Sequence, residues 1–320
     1  MDNPLVSIIC ICKNRKIFIR QCIESVLRQD YTNFEFLIQD GASTDGTTEI
    51  IREYQDDRIK LVSEADSGPG EAFVKVIKRI QGSIWGSCLS DEELLPHAIS
   101  WAVNGFNHHP DAAVIYGDAY VIDEHSAIIQ STRSNTWSLE KYLRCEVVPP
   151  FCATFFQSKY FNTIGYDHYN ECGEFDIWLR LGGRYKIVYM QEFIANFRRH
   201  PGSNTSTVSD FIVNLPGRLE VLDAFLNSED FRGSKTEAKR QFIAGQYLWM
   251  AENFLAIGRC TEAGEMIIAA CHFNPPPERL DYFIAKYLET HSEVRVCERD
   301  SVINTSILQR MMSIYKKIKS

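Results

Sequence analysis

Leu5-Val6-Ser7-Ile8-Ile9-Cys10-Ile11-Cys12 is the stretch from which the architecture of the chain can be inferred. The run is apolar nearly throughout and breaks at Lys13-Asn14-Arg15. A strand that is buried on both faces of a parallel sheet has this continuous apolar pattern. The chain therefore begins with a predicted inner strand of an α/β fold.

Three more predicted strands follow, each succeeded by a helical pattern. Apolar residues at three- and four-residue spacing predict a helix over Ile19 to Leu27. Strands are predicted at 34–38 and 59–62 and from Ile84 onward. Four consecutive strand-helix units favour a right-handed, mostly parallel sheet flanked by helices.

Carboxylates follow the ends of these strands. Asp40 lies behind the second strand, Glu64 or Asp66 behind the third, and Asp91 behind the fourth. The carboxyl ends of parallel strands meet at one edge of an open sheet, where α/β proteins form their ligand crevice. One such acid is ordinarily a helix cap, whereas three converging acids indicate a site. We therefore expect these side chains to collect at one edge.

The acids Asp91-Glu92-Glu93 also allow a purely structural interpretation. In it, Asp91 caps the next helix while Glu92 and Glu93 lie in its first turn, where the helix dipole favours anions. The two interpretations can hold together. We expect Asp91 to face the site and Glu93 to belong to the cap region.

The pattern changes in the second third of the chain. Two apolar runs at 113–116 and 127–129, joined by a polar turn, predict a hairpin and hence a mixed sheet. The aromatic segment 149–156 is expected to form part of a cleft wall or of the core, and 186–190 is a further predicted strand.

Glu174 and Asp176 stand at the start of another helical pattern. Residues two apart on a helix point about 200° away from each other, so at most one of these acids can face a cleft. We expect the other, Asp176, to be structural.

The last third of the chain is predicted to be helical. Helical periodicity recurs at 216–226, 242–257 and 261–271, and prolines at 275–277 are expected to stop the third helix. Pro216 suits a first helical turn. We therefore divide the chain into an α/β domain, 1–210, and a helical subdomain, 211–320.

Residues 301–320 carry basic residues, no acids and a plausible apolar stripe. Such a basic amphipathic helix can rest on an anionic bilayer, although the same stripe can also pack on a neighbouring helix.

Composition narrows the class of protein. The 320 residues are 45% hydrophobic and 24% charged, as in ordinary globular proteins, and the net charge of −8 argues against a nucleic-acid partner. The ten cysteines lack the spacing of a zinc site or a disulfide scaffold, so most are expected to be reduced core thiols. No secretory signal or membrane span is apparent, and we expect a cytoplasmic protein, with the inner face of the membrane as an alternative location.

Several motifs, taken in order and spacing, resemble the family 2 glycosyltransferases of the GT-A fold. The resemblance covers about residues 5–205. It rests on Val6 to Ile9, Cys22 to Gln29, Gln39 to Thr47, Ser63 to Gly68, Leu89 to Glu92, and Gly173 to Arg180. It implies that 1–210 form a GT-A-like nucleotide-sugar-binding and catalytic domain with a mostly parallel sheet. It also implies that the helical subdomain is a C-terminal extension of the bacterial type.

The resemblance also implies residue roles on the donor side. Cys12, Asn14 and Asp40 would hold the nucleotide base and ribose, with Asp66 close by and Ser90 also at the nucleotide. The metal motif of the family falls on Leu89-Ser90-Asp91, where Leu89 cannot ligate. Asp91 is therefore expected to be the single strong ligand of a divalent Mn²⁺ or Mg²⁺, with Glu92 as the next candidate.

On the acceptor side, the position of the catalytic base falls on Glu174, where Asp is usual in the family. The extra methylene moves its carboxylate by about 1.5 Å but keeps its base chemistry. Arg198, Arg199 and His200, in a segment that resembles the family's Arg-x-His-Pro-Gly, are candidates for contact with the diphosphate.

The implied activity is an inverting transfer of a sugar from a UDP-, GDP- or dTDP-linked donor to a saccharide or lipid-linked acceptor, in polysaccharide or glycoconjugate synthesis. The carboxylate takes the proton of the acceptor hydroxyl while a cation neutralises the leaving diphosphate. One alternative is a nucleotidyltransferase, although no glycine-rich basic phosphate loop follows the first strand. The other is a module without activity that binds a glycan or a partner, an interpretation that Leu89 and Glu174 encourage.

Overall fold

The structure is a computed structural model that describes residues 3–165, 173–200, 208–256 and 258–294. For 208–214 and 291–294 it describes the backbone alone. The predicted amphipathic helix at 301–320 lies outside the described residues.

Nine strands within the described ranges form one mixed sheet in the order β3-β2-β1-β4-β8-β6-β9-β5, with β7 paired to β6. The strands are β1 Val6–Cys12, β2 Phe34–Asp40, β3 Ile59–Ser63, β4 Ile84–Ser87, β5 Glu93–Leu94, β6 Ala112–Ile122, β7 Ile128–Thr132, β8 Thr154–Gln157 and β9 Lys186–Arg198. β1 pairs in parallel with both β2 and β4, and β2 with β3. The carboxyl ends of these four strands therefore share one edge, as the sequence predicts.

Helices flank this sheet and form the C-terminal part of the chain. They are α1 Ile19–Leu27, α2 Thr47–Arg52, α3 Pro69–Ile77, α4 Ala98–His108, α5 Leu139–Leu143, α6 Ser158–Ile164, α7 Glu174–Arg184, α8 Val208–Asn227, α9 Lys235–Ala256, α10 Cys260–Cys271 and α11 Pro277–Val294. The predicted mixed α/β sheet with flanking helices is confirmed.

Helix α1 illustrates how local pattern leads to packing. Ile19, Cys22, Ile23 and Val26 recur on one face and are fully buried. They join the apolar residues of β1 and β2 in one core cluster. Burying a large aliphatic side chain contributes roughly 1.5–3 kcal/mol, so this stripe holds the helix against the sheet.

The segment after β4 differs from the prediction. No helix begins at Asp91; instead Glu93–Leu94 form the short strand β5, which pairs antiparallel with β9, and α4 starts only at Ala98. The helix-cap role of Asp91 and the first-turn position of Glu93 are therefore wrong. The pairing with β9 prevails over the local helix signal because it provides hydrogen-bond partners for the backbone of β5.

The helical end of the chain brings two further corrections. Pro216 lies inside α8, which begins at Val208, and so does not occupy a first helical turn. Pro277, which the sequence predicts only as a helix stop, opens the additional helix α11. Proline fits a first helical position because its missing N–H has no intrahelical acceptor there.

The chain divides into two compact units by its internal contacts. The first comprises Met1–Ser138, Val148–Ser206 and Asn214–Phe225, and the second comprises Leu139–Val147, Thr207–Val213 and Leu226–Ser320. The second unit has its own apolar core, to which α9, α10 and α11 contribute.

Two expectations from composition concern the described residues. The cysteines there are free thiols, and all but Cys145 are buried, as expected for core thiols. Cys172 and Cys297 lie outside those residues. None of the helices in the described ranges is long and apolar enough to cross a membrane.

Candidate functional site

A cavity of about 480 Å³ opens at the carboxyl edge of the parallel strands. The loops after β1, β3 and β4 and the end of β9 surround it. The residues predicted for the site that line it are Cys12, Asn14, Asp66, Ser90, Asp91, Glu92 and Arg198. The fold thus brings the predicted acids of two strand ends, together with the end of β1, to one place.

Asp40 stands behind this cavity. It is fully buried, and its carboxylate accepts hydrogen bonds from the Ser43 N–H (2.9 Å), the Ser63 hydroxyl (2.7 Å), the Cys12 thiol (3.6 Å) and the Ser43 hydroxyl. A carboxylate has about four lone-pair positions, so these donors occupy it fully. Asp40 therefore braces the loop after β2.

Asn14 connects the ends of β1 and β2. Its backbone is left-handed, with φ 54°, a conformation that asparagine tolerates better than most residues. Its N–H donates to the Ser43 hydroxyl (2.8 Å), and its side-chain oxygen accepts from the Thr44 N–H (2.9 Å). These bonds fix one wall of the cavity.

Gly41 gives two cavity residues the space that they occupy. A Cβ at this position would lie 2.5 Å from the Asp66 carboxylate oxygen Oδ2 and 3.1 Å from Cδ of Lys13. The Gly41 N–H donates to the Cys12 carbonyl at 2.9 Å, which holds its backbone in place. A side chain at position 41 would thus displace Asp66 or Lys13.

Lys13 and Arg15 also line the cavity. In the sequence both residues only mark the end of the first predicted strand, and they are not among the predicted site residues. Two basic residues, on either side of Asn14 at a predicted strand end, were the available signal. They bring positive charge to a cavity whose other charged residues are mainly acids.

The segment Leu89–Glu92, here called the acid turn, follows β4. The Glu92 N–H donates to the Leu89 carbonyl (2.9 Å), and the Leu89 N–H donates to the Glu92 carboxylate (2.8 Å). Glu92 is buried, and this burial raises its pKa well above the usual range; the Leu89 N–H opposes the shift, and the Asp91 and Glu174 charges add to it. Its carboxylate therefore closes the turn, and Asp91 is the acid that remains available at the surface.

His200 is the side chain that meets Asp91. Its Nε2 lies 3.0 Å from the Asp91 carboxylate, and the two side chains are 9% and 21% exposed. The His200 ring also packs on Phe18, with ring centroids 4.7 Å apart. Among the described residues, no group of three or more His, Cys, Asp or Glu side chains could hold a metal ion.

The two arginines before His200 differ. The Arg198 side chain is fully buried and donates to backbone and side-chain acceptors inside the protein, among them the Asp91 carbonyl (3.1 Å). Arg199 is exposed, and its N–H donates to the Ile122 carbonyl (2.8 Å).

Glu174 is the first residue of α7. Burial raises its pKa to about 7, against an opposing effect of the Arg218 charge. Its charge also adds to the raised pKa of Glu92 in the acid turn. Glu174 does not itself line the cavity. Asp176 forms an ion pair with Arg180 one turn further along the helix, in agreement with a structural role.

The sequence model of glycosyl transferase family 2 matches residues 7–165. An uncharacterized glycosyltransferase of Rickettsia felis is 26% identical over 219 residues, which cover 65% of this chain and 36% of that protein. Chondroitin synthase of Escherichia coli is 28% identical over 210 residues, or 63% of this chain and 30% of the synthase. The chain thus spans about a third of the length of these relatives.

Solved structures show the same fold at low sequence identity. Residues 1–349 of Staphylococcus aureus TarS, in complex with UDP-GlcNAc, align with a TM-score of 0.58 and 14% identity, covering 89% of this chain and 88% of that one. The mannosyltransferase PcManGT of Pyrobaculum calidifontis, in complex with GDP-Man and Mn²⁺, aligns with a TM-score of 0.51 and 13% identity, covering 99% and 87%.

The ordered motifs, the family match and the shared fold agree with one another, and the Rickettsia relative is named a glycosyltransferase. The resemblance inferred from the strand-end motifs is thereby confirmed. The chain belongs to the family 2 glycosyltransferases.

Proposed function

We propose that this chain transfers a sugar from a nucleoside-diphosphate donor to an acceptor hydroxyl with inversion at the anomeric carbon, in polysaccharide or glycoconjugate synthesis. The observation that carries the proposal is the cavity at the carboxyl edge of the sheet, which combines Asn14, Asp66 and Asp91 with the basic residues Lys13 and Arg15. Such a cavity offers acceptors for a base and ribose beside positive charge for a diphosphate.

The donor would occupy the cavity with its nucleoside toward the end of β1. Cys12, Asn14 and Asp66 border that part, and Ser90 lies in the acid turn. Asp40 would act indirectly, by holding Ser43 against Asn14. UDP-GlcNAc and GDP-Man in the two structural neighbours support a nucleotide-sugar donor in this chain as well.

A divalent cation fits the residues beside the acid turn. Asp91 and His200 form an oxygen and nitrogen donor pair 3.0 Å apart, a donor set that suits Mn²⁺ better than Mg²⁺, which prefers oxygen. Leu89 offers no ligand, so these two residues would hold the ion together with the donor. When bound, the cation would neutralise charge on the departing nucleoside diphosphate. Mn²⁺ in the mannosyltransferase supports the use of a divalent cation by this chain.

Glu174 would act as the general base. A pKa of about 7 lets a carboxylate be ionised near neutral pH and still accept a proton effectively. Its carboxylate takes the proton of the acceptor hydroxyl as that oxygen bonds to the anomeric carbon, while the bond to the diphosphate oxygen breaks on the opposite face.

The substitution Glu174→Gln tests this role. We expect transfer to fall by about 100- to 10,000-fold, the usual contribution of general-base catalysis, while nucleotide binding persists. Asp176→Asn, two residues further along the same helix, is the matched control and should retain transfer. Undiminished turnover in Glu174→Gln would remove Glu174 from the mechanism.

A thermal-shift panel of UDP, GDP, dTDP and CDP, each with and without Mn²⁺, tests the donor and the cation together. Stabilisation by one nucleotide that increases with Mn²⁺ is the expected result. The absence of any stabilisation would favour a module without activity. Release of pyrophosphate from a nucleoside triphosphate and a sugar phosphate would favour a nucleotidyltransferase.

A further inference from the structure

The ion pair between Arg198 and Glu93 lies in the protein interior. The Arg198 side chain is 0% exposed and that of Glu93 is 17% exposed. Burying a guanidinium is unfavourable unless acceptors satisfy its N–H donors. A buried arginine therefore needs hydrogen-bond acceptors within the protein.

The partners of Arg198 lie in the acid turn, in β5 and in the turn between β6 and β7. Its Nε donates to the Asp91 carbonyl (3.1 Å), and Nη2 donates to the Glu93 carboxylate. Its Nη1 donates to the Asp123 carbonyl (2.7 Å) and to the Ser126 hydroxyl (3.0 Å), both in the turn between β6 and β7. One side chain therefore connects the acid turn to the β6–β7 turn.

Two residues at and just beyond the end of β9 contact Asp91. Arg198 holds its carbonyl oxygen, and His200, two residues along, contacts its carboxylate at 3.0 Å. Phe18 packs against both, with its ring 4.9 Å from the Arg198 guanidinium carbon and 4.7 Å from the His200 ring. Arg198 and His200 thus both contact Asp91, one at its backbone and the other at its side chain.

We infer that Arg198 is a positioning residue that fixes Asp91 and His200 relative to each other, rather than a ligand of the diphosphate. Although Arg198 borders the cavity, its guanidinium donates to acceptors within the protein. The inference rests on the proposed function, in which Asp91 and His200 hold the cation. Residues that orient metal ligands commonly change metal affinity by about 10- to 100-fold when they are replaced.

The test uses the full chain with Arg198→Met, Arg198→Lys and Glu93→Gln. The control is Glu35→Gln, which breaks the ion pair between the buried Glu35 of β2 and the half-exposed Lys60 of β3, 2.7 Å apart. Two quantities are measured in each variant. One is the hydrogen exchange of the Leu89 and Glu92 amides, and the other is the Mn²⁺ concentration that half-saturates UDP or GDP binding.

We expect Arg198→Met to accelerate exchange of both amides and to raise the half-saturating Mn²⁺ concentration at least about tenfold, with nucleotide binding in the absence of metal unchanged. Arg198→Lys and Glu93→Gln should show the same changes to a smaller degree. Glu35→Gln should lower the melting temperature without either change. If Arg198→Met does not fold, the two milder variants decide the outcome.

Two results would overturn the inference. One is unchanged amide exchange in the Arg198 variants, and the other is an equal loss of nucleotide binding with and without Mn²⁺, which would make Arg198 a direct ligand. If the wild type shows no Mn²⁺-dependent binding, the proposed cation fails, whereas faster exchange in Arg198→Met but not in Glu35→Gln still supports the positioning of the turn by Arg198.

Discussion

Two turns flank the end of β1, and each has an aspartate at or beyond the end of a buried strand. Asp40 ends β2, and Asp91 lies in the acid turn after β4. Asp40 is fully buried with four donors on its carboxylate, whereas the Asp91 side chain is 21% exposed and meets the His200 ring. Similar sequence patterns thus give one carboxylate that stabilises its loop, Asp40, and one that can bind a ligand, Asp91.

The difference shows that the number of internal donors decides what a strand-end acid can do. A carboxylate whose lone pairs are occupied stabilises the loop that supplies the donors. One with free lone pairs can bind a cation or a ligand at the cost of weaker internal support. Stability and function should therefore respond oppositely to substitution in the two turns.

Asp91→Asn should produce the largest effect on transfer. Losing the charge that would hold the cation is expected to lower kcat/KM by about 100- to 1,000-fold, since electrostatic stabilisation of a developing charge is usually of that size. The unfolding free energy should change by less than about 0.5 kcal/mol, because the side chain is partly exposed. Steady-state kinetics and urea denaturation measure the two quantities. Transfer at the wild-type rate would show that the Asp91 charge is not needed for the reaction.

The raised pKa of Glu174 should affect both the pH profile of transfer and the pH dependence of stability. Below its pKa of about 7 the base is protonated, so kcat/KM should rise about tenfold per pH unit up to that value and then level off. The same raised pKa makes the folded state retain a proton that the unfolded state has lost. Stability from this group is therefore full below about pH 4.5 and is lost as the pH rises toward 7.

Urea titrations of wild type and Glu174→Gln at several pH values separate this contribution from the others. The variant should lack the decline in stability between pH 4.5 and 7 that Glu174 causes. An identical decline in both proteins would show that other groups are responsible.

Asp40→Asn should lower stability more than Asp91→Asn does and lower transfer less. An amide nitrogen in place of one carboxylate oxygen would face a hydroxyl or N–H donor, and leaving buried donors unsatisfied costs about 1–3 kcal/mol. The midpoint of urea unfolding should fall accordingly, while kcat, measured well below the melting temperature, should fall much less than in Asp91→Asn. A large loss of kcat without a loss of stability would mean that Asp40 contacts substrate directly.

Gly41→Ala is expected to have the smallest effect. The added Cβ would lie 2.5 Å from the Asp66 carboxylate oxygen, so Asp66 has to move away from its present place in the cavity. Donor KM should rise a few-fold with little change in kcat. Gly82→Ala, whose Cβ would lie 2.7 Å from backbone atoms of Leu5, Ser7 and Ile84, provides a contrast that should affect stability instead.

The sequence was sufficient for the parallel strand-helix units, the family and the region of the site. These features follow from local information: continuous apolar runs mark β1 and β2, spaced apolar residues mark α1, and polar turns mark the strand ends. Parallel strands share an edge whatever their side chains, so the meeting of Asp66 and Asp91 could be predicted.

The sequence did not reveal which carboxylates have all their hydrogen-bond positions occupied or which side chains contact them. Asp91 and His200 are 109 residues apart, and Arg198 reaches Glu93 across 105 residues. These contacts exist because β9 lies beside β5, a pairing that also replaced the helix expected at Asp91. Local pattern specifies elements and turns, whereas hydrogen-bond saturation, burial and pKa depend on residues that sheet order brings together from distant parts of the chain.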